Sequence, residues 1–241
     1  GETVLASVPT NVHGLNNLAI FHAGLGNMEQ GHEYANRLYA LVNDTDQDFL
    51  TADLAISALA AVEDGALLGE LAQRYLRRHT DELLSYSWHS LGVAAARLGK
   101  FREAKKILER AAAGDNAEET ADLIKEIAAA IKAGTARLAW PPIYPGFVMF
   151  LPKRLLSEWI AVTEKIYGDQ PSPGQQRRID AFFARYPFAL QSFKRLMWSE
   201  KGCLAGARAL AMANKPEADA EILHFALSDC GDNDTLMEVI M

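Results

Sequence analysis

Along residues 15–38, LNNLAIFHAGLGNMEQGHEYANRL, apolar and small side chains return every three or four positions, with Leu15, Leu18, Ala19 and His22 at i, i+3, i+4 and i+7. That is the period of one helical face. The same order returns in WHSLGVAAARLGKFREAKKILERA, residues 88–111. Trp88 answers Leu15, Leu91 answers Leu18, Gly92 answers Ala19, Ala95 answers His22 and Gly99 answers Gly26; Phe101, Ala104, Leu108 and Ala111 then match Met28, Gly31, Ala35 and Leu38. The offset of 73 residues leaves space for a middle unit in LAISALAAVEDGALLGELAQRYLRR, residues 54–78, whose Gly65 precedes Gly99 by 34 residues. Small residues at Gly92, Ala95, Ala104 and Ala111 allow two antiparallel helices to approach closely, while Trp88, Leu91 and Leu108 fill the gaps around them. Gly26, Gly65 and Gly99 are predicted to end the first helix of each pair, where a left-handed backbone favours a residue without Cβ.

Downstream, AEETADLIKEIAAAIKAG carries a stripe of Leu123, Ile127 and Ile131 and ends at Gly134, a helix suited to sealing the apolar end of a stack. Residues 140–152, WPPIYPGFVMFLP, break the helical period with four prolines and a glycine and read as a structured linker. Five further helices follow in KRLLSEWIAVTEKIYG, QQRRIDAFFARYP, FALQSFKRLMWSEKG, CLAGARALAMAN and PEADAEILHFALSD. A turn at QPSPG, residues 170–174, separates the first two, and Pro216 stands near the first position of the last. The division is therefore a repeat region 1–134, a proline and aromatic linker 135–153 and a helical region 154–241.

Composition adds little to this picture except by exclusion. With 49% hydrophobic and 23% charged residues the chain is that of a soluble globular protein, and its net charge of −7 argues against broad attraction to nucleic acid or anionic lipid. No stretch of 18 uncharged apolar residues occurs, and no signal-peptide pattern opens the chain. Cys203 and Cys230, outside any C-x-x-C arrangement, read as reduced core thiols of a cytoplasmic protein. The leading residue is Gly1, and DTLMEVIM stops in mid-pattern, so the natural polypeptide is expected to extend beyond these ends.

Several motifs come close to chemistry and then depart from it. HAGLGNMEQG places Gly24 and Gly26 as in a dinucleotide-binding loop, but Glu29 stands where the third glycine belongs and no strand precedes it. HEYAN, residues 32–36, begins like a zinc motif and puts Asn36 in place of the second histidine. DNDTLME, residues 232–238, lacks the central glycine and spacing of a calcium loop. No G-x-S-x-G elbow is present. The acidic pairs Glu118 and Glu119, and Asp232 and Asp234, suit helix N-termini; Arg77, Arg78, Lys105 and Lys106 suit a solvated face. In RRIDAFFARYPFALQSFKRLMW, residues 177–198, basic and aromatic residues alternate in the manner of amphipathic packing. The expectation is no catalytic residues, no metal and no cofactor.

The residues of 88–111, with Trp88, Leu91, Gly92, Gly99, Phe101, Ala104 and Ala111, resemble the tetratricopeptide repeat family, although Ala95 stands where that family often has Tyr. The region from Cys203 onward resembles HEAT-like helical pairs. The resemblance implies an all-α, right-handed α-solenoid of tetratricopeptide-like hairpins followed by additional helical pairs. It implies a non-catalytic scaffold that holds a peptide or a partner helix in a concave groove. By the family's geometry the first helix of each hairpin lines that groove, which implies Asn17, Ile20 and Gly24 in the first repeat and His89, Val93 and Arg97 in the third. The basic or amide clamp that some members use on a chaperone tail is not reproduced. The implied partner is a protein or peptide, with no nucleic acid and no membrane. A competing expectation is an enzyme or small-ligand sensor with a pocket around Trp140, Tyr144 and Trp159, between the repeats and the C-terminal helices. A third is an oligomerisation module assembling as a homo-oligomer.

Overall fold

A computed structural model describes residues 2–42, 49–78, 83–113, 117–133, 143, 153–164, 166, 171–198 and 202–227. The regular structure of these residues is helical throughout: thirteen helices and no strand among them. Two compact units divide the chain, one of Gly1–Ala23 with Asn27–Gly146, the other of Phe147–Met241 with Gly24–Gly26. Most of the linker assigned to 135–153 lies outside the described residues, as do His79, Cys230 and the acidic run 232–238.

The first unit opens with α1 (Glu2–Ser7), and α2 (Val12–Gly24) leads into α3 (Met28–Tyr39). Then come α4 (Phe49–Ala61), α5 (Gly65–Arg78), α6 (Ser85–Arg97), α7 (Phe101–Ala111) and α8 (Ala117–Ala133). The corners α2/α3, α4/α5 and α6/α7 are built alike. Gly26, Glu63 and Gly99 hold φ of 79°, 58° and 73°, so each helix ends in one left-handed residue. The next residue, Asn27, Asp64 or Lys100, donates its N–H to the carbonyl five positions back, on His22, Leu59 or Ala95, each at 2.9 Å. This bond satisfies a carbonyl that the helix end leaves without a partner.

The corner corrects the reading of the middle pair. Its left-handed residue is Glu63, and Gly65 is instead the first residue of α5. The Asp64 carboxylate accepts the Leu67 N–H at 3.1 Å and so caps that helix. The three corner residues stand 37 and 36 positions apart, where the glycine spacing suggested 34. No strand flanks Gly24 and Gly26: Gly24 is the last residue of α2 and Gly26 the corner itself, so the glycine pattern serves a turn between helices.

Close approach within the hairpins rests on the small residues. A Cβ on Gly31 of α3 would stand 3.3 Å from the Ala19 carbonyl oxygen of α2, and one on Gly92 of α6 would stand 2.5 Å from Leu108 Cγ of α7. Leu15, Ala19, Leu38, Ile56, Leu59, Leu68, Trp88, Leu91, Ala104 and Leu108 are buried around these contacts, with the Arg110 guanidinium 4.8 Å above the Trp88 ring. The order of packing follows the chain. Helices α3 to α8 each pack on the next, with additional contacts of α4 on α6 and α5 on α7. Helices α4 and α6 are buried on all sides over Ala55–Ala61 and Ser87–Ala96, as their nearly uncharged sequences require. On α8, Ile127 is buried and Ile124 and Ile131 pack beside it; the Leu123 side chain and Gly134 lie outside the described residues.

The second unit contains α9 (Lys153–Thr163), α10 (Pro173–Arg185), α11 (Phe188–Met197), α12 (Cys203–Ala213) and α13 (Pro216–Ala226). Ser172 and Gln175 form a capping box at α10, with Pro173 in its first turn, and Pro216 opens α13. Helix α10 packs on α9, α11 and α12, while α13 packs on α11 and α12. Trp159 lies at the centre, 5.1 Å from Phe182, 5.5 Å from Phe183 and 4.9 Å from Phe193 by ring centroids. The aromatics of 177–198 thus fill a core, and the neighbouring cations are tied to acceptors: Arg185 to Glu158 at 3.3 Å and Arg178 to the Ala161 carbonyl at 3.2 Å. Cys203 is buried.

Candidate functional site

The six residues implied as a groove wall meet different fates. On α2, Asn17 is exposed, Ile20 half-buried and Gly24 buried. On α6, Val93 has no exposed surface and His89 keeps 7%, so both lie in the interior rather than on an open wall, while the Arg97 side chain retains 26%. The shared corner keeps the offset of 73 residues read between the first and third pairs. Ten residues before the left-handed residue stand Asn16, Asp53 and His89, so the counterpart of His89 is Asn16 and not Asn17.

Those three positions are polar in every hairpin and buried in every hairpin, at 7%, 4% and 7% exposure. Asn16 donates through Nδ2 to Asn17 Oδ1 at 3.5 Å, and its own Oδ1 has no partner among the described residues. Burial raises the Asp53 pKa; the Leu84 N–H, donating to Oδ1 at 3.1 Å, and the nearby Ser87 hydroxyl oppose that rise. Ser87 Oγ is itself buried and falls short of good hydrogen-bond geometry, so the Leu84 contact at the start of α6 is the firmer of the two. Burial lowers His89 to about 4, which leaves it neutral through physiological pH. Each first helix therefore carries a buried hydrogen-bonding group ten residues before its corner.

A second cluster gathers at the middle corner. Arg97 Nη1 donates to Glu63 Oε2 at 2.6 Å, joining the last residue of α6 to the left-handed residue after α4. The other oxygen, Glu63 Oε1, accepts the backbone N–H of Ile143 at 3.0 Å across 80 positions of sequence. Ile143 is wholly buried, and a Cβ on Gly65 would stand 3.8 Å from its Cδ1.

A third cluster lies in the second unit. Trp198 Nε1 donates to Glu221 Oε1 at 2.8 Å, with His224 Nδ1 3.7 Å from the same oxygen and Lys194 Nζ 3.8 Å from Oε2. Burial alone would raise the Glu221 pKa, but His224, Trp198 and Lys194 together outweigh it and hold the carboxyl below its usual range. This arrangement ties α13 to the end of α11.

No family model, curated protein or solved structure matches this chain. Its site residues are therefore judged on geometry alone. Trp159, part of the competing pocket, belongs to the aromatic core, while Trp140 and Tyr144 lie outside the described residues. His32 of HEYAN has Nδ1 3.7 Å from Asp64, and among the described residues no group of three or more His, Cys, Asp or Glu could hold a metal ion. No described helix is long and apolar enough to cross a membrane. Sequence reasoning missed Glu63, Ile143, Asp53 and the Glu221 cluster. Only the first carried a usable signal, since Glu63-Asp64 falls in line with Gly26-Asn27 and Gly99-Lys100 once the middle unit is allowed 37 positions.

Proposed function

We propose that the first unit is a right-handed solenoid of tetratricopeptide-like hairpins, followed along the chain by additional helical pairs, and that the protein is a non-catalytic scaffold for a peptide or partner helix. The observation that carries this reading is the threefold recurrence of one corner, with helices packed in chain order upon their neighbours. A stack made this way sets equivalent hairpins side by side, and a surface repeated along such a stack receives an extended peptide or a helix with little rearrangement. The accessible members of the implied wall, Asn17, Ile20 and Arg97, supply an amide, an aliphatic side chain and a partly neutralised cation for that contact.

Peptides selected on the full chain from a random display library test the reading. We expect ligands whose affinity falls about tenfold or more in Ile20→Glu and in Arg97→Glu, and is unchanged in Lys105→Glu on the charged face of α7. Failure to select any ligand, or equal affinity in all three variants, overturns the assignment.

A further inference from the structure

Charge is divided unevenly within the second unit. Helices α9 to α12 carry eight Lys and Arg against two acidic residues, whereas α13 carries three acidic residues and neither Lys nor Arg. The contrast is sharpest between α9, which packs on α10, and α13, which packs on α11 and α12. Lys153 and Arg154 stand in the first turn of α9 with no acidic residue beside them, where the positive end of the helix dipole disfavours a cation. Both are exposed and have no ion-pair partner among the described residues. Glu217 and Asp219, in the first turn of α13, are exposed and equally without an ion-pair partner among the described residues.

Each of these two helices also turns an aliphatic side chain to solvent. Leu223 on α13 and Ile160 on α9, 59% and 54% accessible, are the two most exposed large hydrophobic side chains among the described residues. One exposed aliphatic residue is ordinary on any surface, but here it is aligned with a charge twice over. Lys153, Ser157 and Ile160 lie at i, i+4 and i+7 along α9; Asp219, Leu223 and Leu227 lie at i, i+4 and i+8 along α13; all six are exposed. Each stripe thus has a charge near the helix N-terminus and an aliphatic group two turns on, and the two charges are opposite. Laid parallel, the stripes set Asp219 against Lys153 and Leu227 against Ile160. Two α13 stripes would instead set acid against acid when parallel and acid against aliphatic when antiparallel. We propose that the α13 face of one copy docks in parallel on the α9 face of a second copy, through Glu217 and Asp219 against Lys153 and Arg154 and through Leu223 and Leu227 against Ile160. The two surfaces differ, so the contact is heterologous and repeats as further copies add. This association concerns the second unit alone and is independent of the groove reading of the first.

Sedimentation velocity of the full chain over a concentration series tests it. At low ionic strength the weight-average mass should rise with concentration, and it should fall back towards the monomer in high salt, which screens exposed charge pairs. Lys153→Glu with Arg154→Glu, and separately Glu217→Lys with Asp219→Lys, should each weaken self-association about tenfold or more. Because each reversed face complements the other, an equimolar mixture of the two double variants should associate as wild type does. Ile160→Ser and Leu223→Ser should each weaken association with the charges left in place. If reversal at α13 unfolds the chain, as circular dichroism would show, Glu217→Gln with Asp219→Asn removes the same charges with less demand on the helix N-terminus and should also weaken association. A mass that stays monomeric at every concentration overturns the proposal. So does association undiminished in the charge variants, or a mixture of the folded double variants that fails to associate.

Discussion

Gly206→Ala is expected to lower the unfolding free energy by about 3 kcal/mol or more, at the upper end of what overpacking costs. A glycine in a helix interior ordinarily gains about 0.5–1 kcal/mol of stability on replacement by alanine, so the expected sign is itself diagnostic. The reversal comes from what surrounds the position. A Cβ on Gly206 of α12 would meet the backbone of α11, 2.7 Å from Met197 Cα and 2.9 Å from the Phe193 carbonyl oxygen, and also the Met197 nitrogen. A side chain can rotate away from such a clash, but backbone cannot. Phe193 and Met197 are core residues, and moving their helix outward opens the aromatic cluster around Trp159. Urea unfolding followed by tryptophan fluorescence measures the loss. Gly174→Ala, where an added Cβ meets nothing within 4 Å, provides the control and should stay within about 0.5 kcal/mol of wild type.

The second large effect is on pH dependence. His89 titrates at about 4 in the folded chain and near 6.5 when exposed, so the unfolded state takes up its proton first as the pH falls. Stability from the neutral, buried imidazole is complete above 6.5 and is lost progressively from there down to about 4. Between pH 7 and 4.5 the loss from this group amounts to about 2–3 kcal/mol. Glu221, whose pKa is depressed, acts in the same direction at the acid end, whereas Asp53, whose pKa is raised by burial, acts in the opposite one because its folded form binds a proton more readily. His89→Asn isolates the histidine, since the equivalent place in the first hairpin is already held by Asn16. The variant's urea midpoint should vary less with pH than that of wild type over this range; superimposable pH profiles would show that His89 is not held neutral by burial.

How much of this was legible depended on whether a residue's task was local. Gly26 and Gly99 announced their corners because glycine is the ordinary answer to a left-handed backbone, and Pro173 and Pro216 announced helix starts for an equally local reason. Helical character followed from side-chain period and survives at almost every described segment. Glu63 was hidden because its left-handed conformation is sustained by partners at positions 97 and 143 that no local pattern reveals, and Gly65, two residues on, offered a more conventional substitute. His89 and Val93 were misplaced for a related reason. An i, i+4 spacing tells which residues share a helical face, but α6 is buried on every face, so sharing a face did not imply exposure. Asp53 and Glu221 look like surface carboxylates in sequence; only tertiary packing brings the Leu84 amide to one and the Trp198 indole to the other.

The recurrence of one corner at 26, 63 and 99 underlies both the stacking and the cluster at Glu63, and the unfolding free energy of Gly65→Ala tests it most directly. Since Gly65 begins α5 and an added Cβ meets only Ile143 Cδ1, at 3.8 Å, alanine should be neutral or should stabilise by up to about 1 kcal/mol. Gly99→Ala, at φ of 73°, should instead cost about 1–2 kcal/mol. A loss at Gly65 equal to that at Gly99 would place the left-handed turn at 65, restore the 34-residue spacing and contradict the account.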